Sequence, residues 1–289
     1  MRKEDKILCL DLGGTKLRAG IVSGGVLSCK KVFSTCTSRG REGIEQTLLA
    51  GLSAYESESF SGVAASSAGN IDPESGAVIY ATDNLPGYTG FRLADFLSEK
   101  TELPCACVND GCAAALGEYA LSGRKDEIML FLTLGTGVGG AFVKDGEILL
   151  GFDGMLGHMQ LVRGGKKCNC GREGCAERYA SGSAFRSLLR EKGVPYGTPE
   201  EIWAAYARGE RSVCECVNAW AQNVRAALEM YYAAVPFGRA VLGGGMSESG
   251  AYWIDLVRSD KFAVGLARAG DDAGLLGAYE YFRKRYADR

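Results

Sequence analysis

The chain has 289 residues, 46% of them apolar, with a net charge of −2 and an isoelectric point of about 5.7. This length predicts two domains that each bury a core, and the balanced charge excludes the basic surface to which nucleic acids or anionic membranes bind. Because the eleven cysteines follow no signal peptide and the apolar runs are too short and too rich in glycine to span a bilayer, we expect a cytoplasmic protein with reduced thiols.

The N-terminal stretch "KILCLDLGGTKLRAGIVSGGVLSCKKVF" predicts an apolar strand, a turn at Gly13 and Gly14, a second strand and a further glycine turn. Glycines after a buried strand let backbone amides approach a phosphate, and Thr15 adds a hydroxyl donor. Asp11 ends the first strand, where a carboxylate can hold Mg2+ through a water molecule. The alternative for Asp11 is an aspartate that only caps the turn.

The next predicted elements are helices at 42–60 and 112–122 and strands within 62–80 and 104–108. Asn109 and Asp110 follow the last of these strands and precede the helix "GCAAALGEYA". Asp110 is placed either to cap that helix or to accept a hydroxyl proton during phosphoryl transfer.

From residue 127, "EIMLFLTLGTGVGGAFVKDGEILLG" repeats the plan of the N-terminus. An apolar strand leads to a turn at Gly135, Thr136 and Gly137, and a second strand leads to the hairpin turn Asp145-Gly146. Two copies of one supersecondary unit predict two related lobes that face each other.

The stretch "HMQLVRGGKKCNCGREGC" contains the only histidine of the chain, His158, together with Cys168, Cys170 and Cys175. Four nitrogen and sulfur ligands this close in sequence predict a closed zinc site of the Cys3His type. The alternative is a core histidine near cysteines that are simply numerous in this chain.

Two further cysteine pairs, Cys105 with Cys107 and Cys214 with Cys216, have the spacing of metal ligands. No histidine or nearby cysteine completes either pair. We therefore predict that these side chains are small buried apolar groups, and the sequence leaves any other role open.

In the C-terminal half, a capping box at Thr198–Glu201 predicts a helix start, and a long helix is predicted for 212–234. The strand "RAVLGGG" then leads to a third glycine turn at Gly243, Gly244 and Gly245, and a final helix begins near Asp271. Three glycine turns after apolar strands favour a nucleotide-binding protein over three plain turns. None of them matches a Walker loop or a Rossmann dinucleotide fingerprint.

Taken in order, "DLGGTKLRAGIV", "NLPGYTGFRLADFL", "LPCACVNDGCAAALGE", "LGTGVGGAFVKDGEILLG", "CNCGREGCAERYASGSA" and "VLGGGMSESG" resemble the ROK family of bacterial sugar kinases and sugar-responsive repressors. The resemblance runs from about residue 7 to 282. It implies an α/β, actin-like (ribonuclease H-like) duplicated two-lobe sugar kinase fold with a structural zinc loop, in which ATP and a hexose meet in the cleft. We expect a small lobe of 1–113, onto which a C-terminal helix of 272–289 packs, and a large lobe of 114–271.

The resemblance also assigns roles to single residues. It implies that Asp110 is the catalytic base, that Asn109 binds a sugar hydroxyl and that Gly69 lines the sugar loop. His158 then serves both zinc and sugar, and Glu177 is a sugar-binding glutamate. The remaining zinc ligands are Cys168, Cys170 and Cys175. A homodimer is usual in the family, so we expect a homodimer here.

For the nucleotide, we expect ATP with Mg2+ held by Asp11 through water. The phosphates are expected over two sets of residues, namely Gly13, Gly14, Thr15 and Lys16 in the first turn and Gly135, Thr136 and Gly137 in the second. The adenosine is expected near Gly243, Gly244 and Gly245. Zinc is expected to be structural and to hold His158 and Glu177 in one rigid wall of the sugar pocket.

The sequence departs from the family pattern at two places. Met155 stands where the family has a sugar-binding glutamate, and Ala68-Gly69 stands where Pro-Gly is frequent. The phosphoryl-transfer residues are intact, so we predict transfer to the 6-hydroxyl of a hexose or N-acetylhexosamine. Which sugar is phosphorylated, and from which physiological donor, stays open.

Two other functions are alternatives. A sugar-sensing repressor of this family has a DNA-binding region before the first phosphate strand, which here begins at Ile7. A sugar-binding protein with a regulatory rather than catalytic role is suggested by Met155. The early start of that strand disfavours the repressor, and the retention of Asp11, Asp110 and three glycine turns favours the kinase over the sugar-binding protein.

Overall fold

A computed structural model of the chain describes residues 5–82, 85–123, 127–149 and 156–286. Its contacts divide these residues into two units. The first unit contains 5–123 (without 83–84), 146–148 and 271–286, and the second contains 127–145, 149 and 156–270. The helix Asp110–Ser122 lies wholly in the first unit, so the chain passes from the first unit to the second after residue 123. The boundary between a small and a large lobe at residue 113 stays a prediction.

The first unit contains eight strands: β1 (Ile7–Leu12), β2 (Lys16–Ser23), β3 (Val26–Ser34), β4 (Gly62–Ser67), β5 (Asn70–Ile71), β6 (Val78–Tyr80), β7 (Cys105–Asn109) and β10 (Glu147–Ile148). Its α-helices are α1 (Gly40–Ser53), α2 (Leu93–Thr101), α3 (Asp110–Ser122) and α8 (Ala273–Arg285). The main sheet has the order β3-β2-β1-β4-β7, in which β1 is antiparallel to β2 and parallel to β4.

Helices cover both faces of this sheet, and this explains why β1 is a continuous apolar run. Leu8 and Leu10 pack into a core with α1 and α2, whereas the alternate residues Ile7 and Cys9 pack against Leu275 and its neighbours in α8. Alternate residues of β1 therefore point to opposite faces of the sheet and contribute to two different cores.

The helix predicted for 42–60 is shorter than expected, since α1 ends at Ser53. The Tyr55 hydroxyl donates to the carbonyl oxygens of Ala19 and Cys29 at 3.0 and 2.6 Å. These bonds draw the chain onto β2 and β3, and the helix ends where that contact begins.

The second unit has the strands β8 (Met129–Leu134), β9 (Val138–Lys144), β11 (Arg239–Gly243) and β12 (Ala263–Leu266). Its α-helices are α4 (Glu177–Ala180), α5 (Gly182–Glu191), α6 (Pro199–Ala207) and α7 (Arg211–Ala234). Short 3-10 segments occur at Leu156–His158, Gly245–Tyr252 and Ile254–Val257. Strands β9, β8, β11 and β12 are neighbours in that order.

The two units repeat one plan. In each, an antiparallel hairpin with a glycine turn is followed by two parallel strands, β4 and β7 in the first unit and β11 and β12 in the second. This finding confirms the duplicated α/β architecture expected from the repeat.

Local predictions in the second half are also confirmed. Thr198 and Glu201 form a reciprocal capping box, with the Thr198 hydroxyl accepting from the Glu201 amide at 3.3 Å. Asp145 and Gly146 both have positive φ, as a tight hairpin turn requires. None of the described helices combines the length and the apolar composition that a membrane span requires.

Candidate functional site

The first glycine turn joins β1 to β2 and is closed by its own backbone. The Gly13 amide donates to the Lys16 carbonyl at 2.9 Å, and the Thr35 hydroxyl donates to the Gly13 carbonyl at 2.9 Å. In the described part of the chain, no acceptor engages the amides of Gly14 and Thr15. These two amides and the exposed Thr15 side chain are therefore the groups that can bind a phosphate.

The second glycine turn has the same design. The Gly135 amide donates to the Gly137 carbonyl at 3.0 Å, and the Val138 amide donates to Glu177 Oε2 at 3.1 Å. Among the described residues, the amides of Thr136 and Gly137 have no acceptor. In both turns, two consecutive amides and one threonine hydroxyl are thus left for an anion.

A cavity of about 660 Å3 in the first unit extends from the first glycine turn to the predicted sugar loop. Gly14 and Thr15 line it on one side, and Ala68, Gly69 and Tyr80 line it on another. This volume lies within the range of small-molecule binding sites.

Asp11 is held by residues on both neighbouring strands and on α8. The Ser66 hydroxyl donates to its Oδ1 at 2.8 Å, and Arg18 Nη1 lies 3.6 Å from its Oδ2. Arg18 also pairs with Asp271 at 2.9 Å. A Cβ atom at Gly274 would lie 2.7 Å from the Asp11 carboxyl carbon, so a larger residue there would displace the carboxylate. Burial raises the pKa of Asp11, against the opposing effects of Ser66 and Arg18.

Asn109 joins the sugar loop to the start of α3. Its Oδ1 accepts from the Cys112 amide at 3.1 Å, so Asn109 and not Asp110 is the N-cap of the helix. Its Nδ2 donates to the Gly69 carbonyl at 2.8 Å and to Asp110 Oδ1 at 2.9 Å. Gly69 has φ 103°, and a Cβ there would lie 2.9 Å from the Tyr80 carbonyl oxygen. The capping alternative for Asp110 is therefore wrong, because its neighbour already fills that position.

Asp110 is the first residue of α3, and its two carboxylate oxygens differ in their hydrogen bonds. Its Oδ1 accepts from the Gly111 amide at 2.8 Å and from Asn109. In the described chain no donor contacts Oδ2. The residue keeps exposed surface, yet the protein packed around the carboxyl group desolvates it, and this raises its pKa to about 6. The hydrogen bond from the Gly111 amide lowers the pKa of Asp110, and the Asp11 carboxylate raises it further.

The four predicted zinc ligands converge in the second unit. The ligand atoms of His158, Cys168, Cys170 and Cys175 all lie within 4.8 Å of one another. His158 Nδ1 lies 3.7 Å from the Cys168 sulfur, and the sulfurs of Cys170 and Cys175 are 3.6 Å apart. A tetrahedron with Zn–S bonds of about 2.3 Å has edges of about 3.8 Å. The donor set and its spacing therefore fit zinc, and the core-histidine alternative does not explain the convergence.

The other paired cysteines are mostly buried. Cys105, Cys107 and Cys216 are buried, and Cys214 is half-buried. Burial raises the pKa of Cys105 to about 12, which makes its thiolate scarce at neutral pH. These observations agree with the prediction of packed apolar groups.

Glu177 opens α4, two residues after the last cysteine of the zinc cluster. Its Oε2 accepts from the Val138 amide, and a Cβ at Gly137 would lie 2.2 Å from that oxygen. Glu177 is therefore seated directly on the second glycine turn. The sequence indicated a sugar ligand at this position and did not indicate this backbone contact.

The third glycine turn follows β11 and approaches the second one. Gly244 has φ 79°, and a Cβ there would lie 2.6 Å from the Thr133 hydroxyl oxygen. Gly182, at the start of α5, donates its amide to the Gly135 carbonyl at 2.8 Å. A Cβ at Gly182 would lie 3.2 Å from the Met246 sulfur. Gly182 thus joins the second and third turns.

Within the first unit, the structure groups the predicted residues Asp11, Asn109, Asp110 and Gly69 with the first glycine turn, and Lys16 lies exposed at the start of β2. Within the second unit, it groups Glu177 with Gly135–Gly137 and brings His158 to the cysteines. Met155 lies outside the described residues.

Several site residues gave no signal in the sequence. Ser66 and Arg18 reach Asp11 because they are its register partners in β4 and β2. Gly274 reaches it from α8, at the far end of the chain. Gly182 reaches the Gly135 carbonyl from the start of α5. Register and helix packing, which local sequence does not encode, decide all four contacts.

The model of the ROK family matches residues 7–285 of this chain. A glucokinase of Thermotoga maritima is 30% identical over 97% of this chain and 98% of its own length. An N-acetylmannosamine kinase of Yersinia pseudotuberculosis is 32% identical over 94% of this chain and 97% of its own.

Among solved structures, a ROK family glucokinase from Streptomyces griseus in complex with glucose and AMPPNP matches with a TM-score of 0.78 and 26% identity. The match covers 94% of this chain and 97% of that one. The duplicated fold of this chain is thus the actin-like fold of the sugar kinases that it resembles.

Proposed function

Because this chain belongs to the ROK family, we propose that it is an ATP-dependent sugar kinase that transfers the γ-phosphoryl group to the 6-hydroxyl of a hexose or N-acetylhexosamine. Relatives similar over nearly their whole length are a glucokinase and an N-acetylmannosamine kinase. Kinase chemistry in general needs a base, a phosphate cradle and charge neutralisation.

The observation that carries this proposal is the state of Asp110. One carboxylate oxygen is held by Gly111 and Asn109, and the other is open. With a pKa of about 6, the group is ionised at neutral pH yet basic enough to take a proton in the transition state. Asp110 accepts the proton of the sugar hydroxyl as that oxygen bonds to the γ-phosphorus, and ADP leaves with the electrons of the broken P–O bond.

The two glycine turns supply the phosphate contacts. In the proposal, the amides of Gly14, Thr15, Thr136 and Gly137 bind phosphate oxygens, because these amides have no acceptor within the described chain. Lys16 adds a positive charge nearby, and the adenosine lies near Gly243–Gly245. Asp11 offers carboxylate oxygens of the kind that Mg2+ prefers, and the ion would neutralise developing charge on the phosphates.

The zinc cluster has a structural role in this proposal. Its Cys3His donor set leaves no open coordination position, so a bound zinc would not act as a Lewis acid on the phosphate. His158 Nδ1 lies 3.7 Å from the Cys168 sulfur, and within the described residues no partner contacts Nε2. In the proposal, Nε2 binds a sugar hydroxyl. Asn109 and Gly69 in the first unit and Glu177 in the second complete the proposed sugar contacts.

The deciding experiment is a coupled assay of ADP release with ATP, Mg2+ and a panel of hexoses and N-acetylhexosamines. We expect sugar-dependent ADP release and a 6-phosphate product, identified by mass spectrometry and NMR. Tight sugar binding without turnover would instead favour the regulatory sugar-binding alternative.

We also propose that the protein is a homodimer, which is what the family resemblance implies, and that it is cytoplasmic, which is what the cysteines and the short apolar runs of the sequence predict. Light scattering should then give twice the chain mass of 30.7 kDa. A molar mass of one chain at micromolar concentration would contradict the dimer and leave the kinase proposal intact.

A further inference from the structure

The segment that holds the zinc-ligand cluster also surrounds the second glycine turn. At one end of the turn, the Gly182 amide donates to the Gly135 carbonyl at 2.8 Å. At the other end, a Cβ at Gly157 would lie 2.1 Å from the Val138 carbonyl oxygen, so the two backbones are in direct contact. The turn is therefore not free to move independently of residues 157–182.

Glu177 is the one ionisable side chain in this set of contacts. Its Oε2 accepts from the Val138 amide at 3.1 Å, and Gly137 permits this approach because it has no Cβ. Within the described residues, no donor contacts Oε1. The Glu177 carboxylate thus has one oxygen hydrogen-bonded to the second glycine turn and one oxygen available for a ligand.

Resting on the proposed kinase function, we infer that Glu177 is a positioning residue for the nucleotide, as well as a sugar ligand, and that it couples sugar binding to nucleotide binding. A sugar hydroxyl on Oε1 fixes the orientation of the carboxylate. The other oxygen then holds the Val138 amide, and the free amides of Thr136 and Gly137 keep the direction that a phosphate needs. By linkage, nucleotide binding must increase sugar affinity by the same factor.

The charge of Glu177 shows that it acts through the turn and not on the phosphate. A carboxylate repels a phosphate at short range, and it occupies the amide of Val138, which would otherwise be a third donor for the anion. Its effect on the nucleotide therefore depends on an acceptor oxygen at this position. A glutamine keeps such an oxygen, and an alanine does not.

The test is isothermal titration of Mg·ADP into the full-length protein in the absence of sugar. We expect Glu177→Ala to weaken binding by about tenfold, the scale of losing a hydrogen bond to a charged group, and Glu177→Gln to stay within about threefold of wild type. Glu200→Ala is the matched control, since it removes an exposed glutamate of α6 in the same unit that has no contact with the glycine turn, and it should leave Mg·ADP affinity unchanged. Adding glucose or N-acetylmannosamine should tighten Mg·ADP binding to wild type and not to Glu177→Ala.

Unchanged Mg·ADP affinity in Glu177→Ala would overturn the inference and leave the kinase proposal standing. A wild type that neither binds Mg·ADP nor phosphorylates any sugar would remove both. If Glu177→Ala does not fold, the inference is tested by NMR, through the chemical shift of the Val138 amide. We expect it to shift upfield in Glu177→Gln and to move when sugar is added to wild type. A resonance that is insensitive to both changes would overturn the inference.

Discussion

Asp110 combines two demands that usually conflict. A base must be ionised at the working pH, and it must also hold a proton well enough to accept one during the reaction. Loss of solvation raises its pKa to about 6, with a smaller contribution from Asp11, while amide donors on its inner oxygen limit the rise. In the proposed reaction the outer oxygen accepts the substrate proton, while the inner oxygen stays hydrogen-bonded to Gly111 and Asn109.

This arrangement predicts the pH dependence of the reaction. The active form is the carboxylate, so kcat/KM should fall as the pH drops through about 6. Asp110→Asn should lower kcat by about a hundredfold or more, the usual scale for a positioned base, and should keep sugar binding. The control is Asp255→Asn, an exposed carboxylate in the second unit. Near-normal turnover in Asp110→Asn would show that this residue is not the base.

The same shift has a consequence for stability. Because the pKa of Asp110 is higher in the folded protein than in the unfolded chain, the folded state binds more protons between the two values. Its contribution to stability is therefore greatest at low pH and declines as the pH rises through about 6. Thermal melts at pH 4 and pH 7 should show that Asp110→Asn gains stability relative to wild type at the higher pH.

The methionine at position 155 leads to a prediction about which sugar is the better substrate. A thioether in place of a carboxylate leaves a facing hydroxyl without its acceptor, at a cost of about 1–3 kcal/mol. We expect glucose to be a poorer substrate than an epimer or an N-acetylhexosamine such as N-acetylmannosamine, whose acetyl methyl can pack on the methionine. Met155→Glu should raise kcat/KM for glucose by about fivefold or more.

The measurement compares kcat/KM of the wild type and of Met155→Glu for six sugars: glucose, mannose, fructose, allose, N-acetylglucosamine and N-acetylmannosamine. If glucose already leads on wild type and the variant does not improve it, Met155 has no bearing on the substrate.

At the scale of elements, the loop of residues 158–175 has little regular structure to stabilise it. Its described backbone contains no strand or α-helix. It has two isolated bridges, between Gln160 and Cys175 and between Lys167 and Glu173, together with short-range hydrogen bonds of its turns. Gly174 has φ 75° and lies so close to the Val162 carbonyl that a Cβ would clash with it. A bound metal would supply the cross-link that such a loop lacks.

Cys170→Ser tests this role of the loop. Cys170 is exposed, so its replacement should matter only through the metal. We expect about one zinc per wild-type chain, and loss of both zinc and thermal stability in the variant, measured by mass spectrometry of the metal and by melting. Cys29→Ser, at an exposed cysteine in β3, is the control. A metal-free wild type with full stability would contradict the structural zinc.

At the scale of the whole molecule, the end of the chain completes the unit in which it begins. Helix α8 packs on β1 and β4 and, through close glycine contacts, on α3, where a Cβ at Gly277 would lie 1.6 Å from the Ala113 carbonyl oxygen. The same helix presents Gly274 to Asp11. The proposed base Asp110, at the start of α3, and the proposed magnesium ligand Asp11 therefore both depend on a helix that is distant in sequence.

Phe282→Ala should show this dependence. Phe282 is 1% exposed and lies against Gly62 of β4, where a Cβ would come within 2.1 Å of its ring. We expect the variant to lose about 3–5 kcal/mol of unfolding free energy, measured by urea denaturation. Val32→Ala, at a side chain that is 60% exposed on β3, is the matched control and should change little. Equal stability of the two variants would show that the C-terminal helix is not part of the first core.

The sequence by itself determined those features of this protein that depend on neighbours along the chain. The apolar runs and glycine turns predicted the two hairpins, the capping box predicted the start of α6, and the spacing of His158 and the three cysteines predicted their convergence. Each of these signals lies within about twenty residues, a distance over which turn geometry and periodicity are encoded locally.

Only the tertiary structure decided which residues complete the site. Asn109, and not Asp110, caps α3. The hydrogen bond from Asn109 Nδ2 to the Gly69 carbonyl also fixes the position of the Asn109 side chain. Arg18 and Ser66 reach Asp11 through strand register, and Glu177 reaches the second glycine turn through the fold of the loop before it. The pKa of Asp110 depends in the same way on burial of its carboxyl group in the folded protein and on the Asp11 carboxylate. Such contacts arise when elements pack, and packing depends on the whole chain.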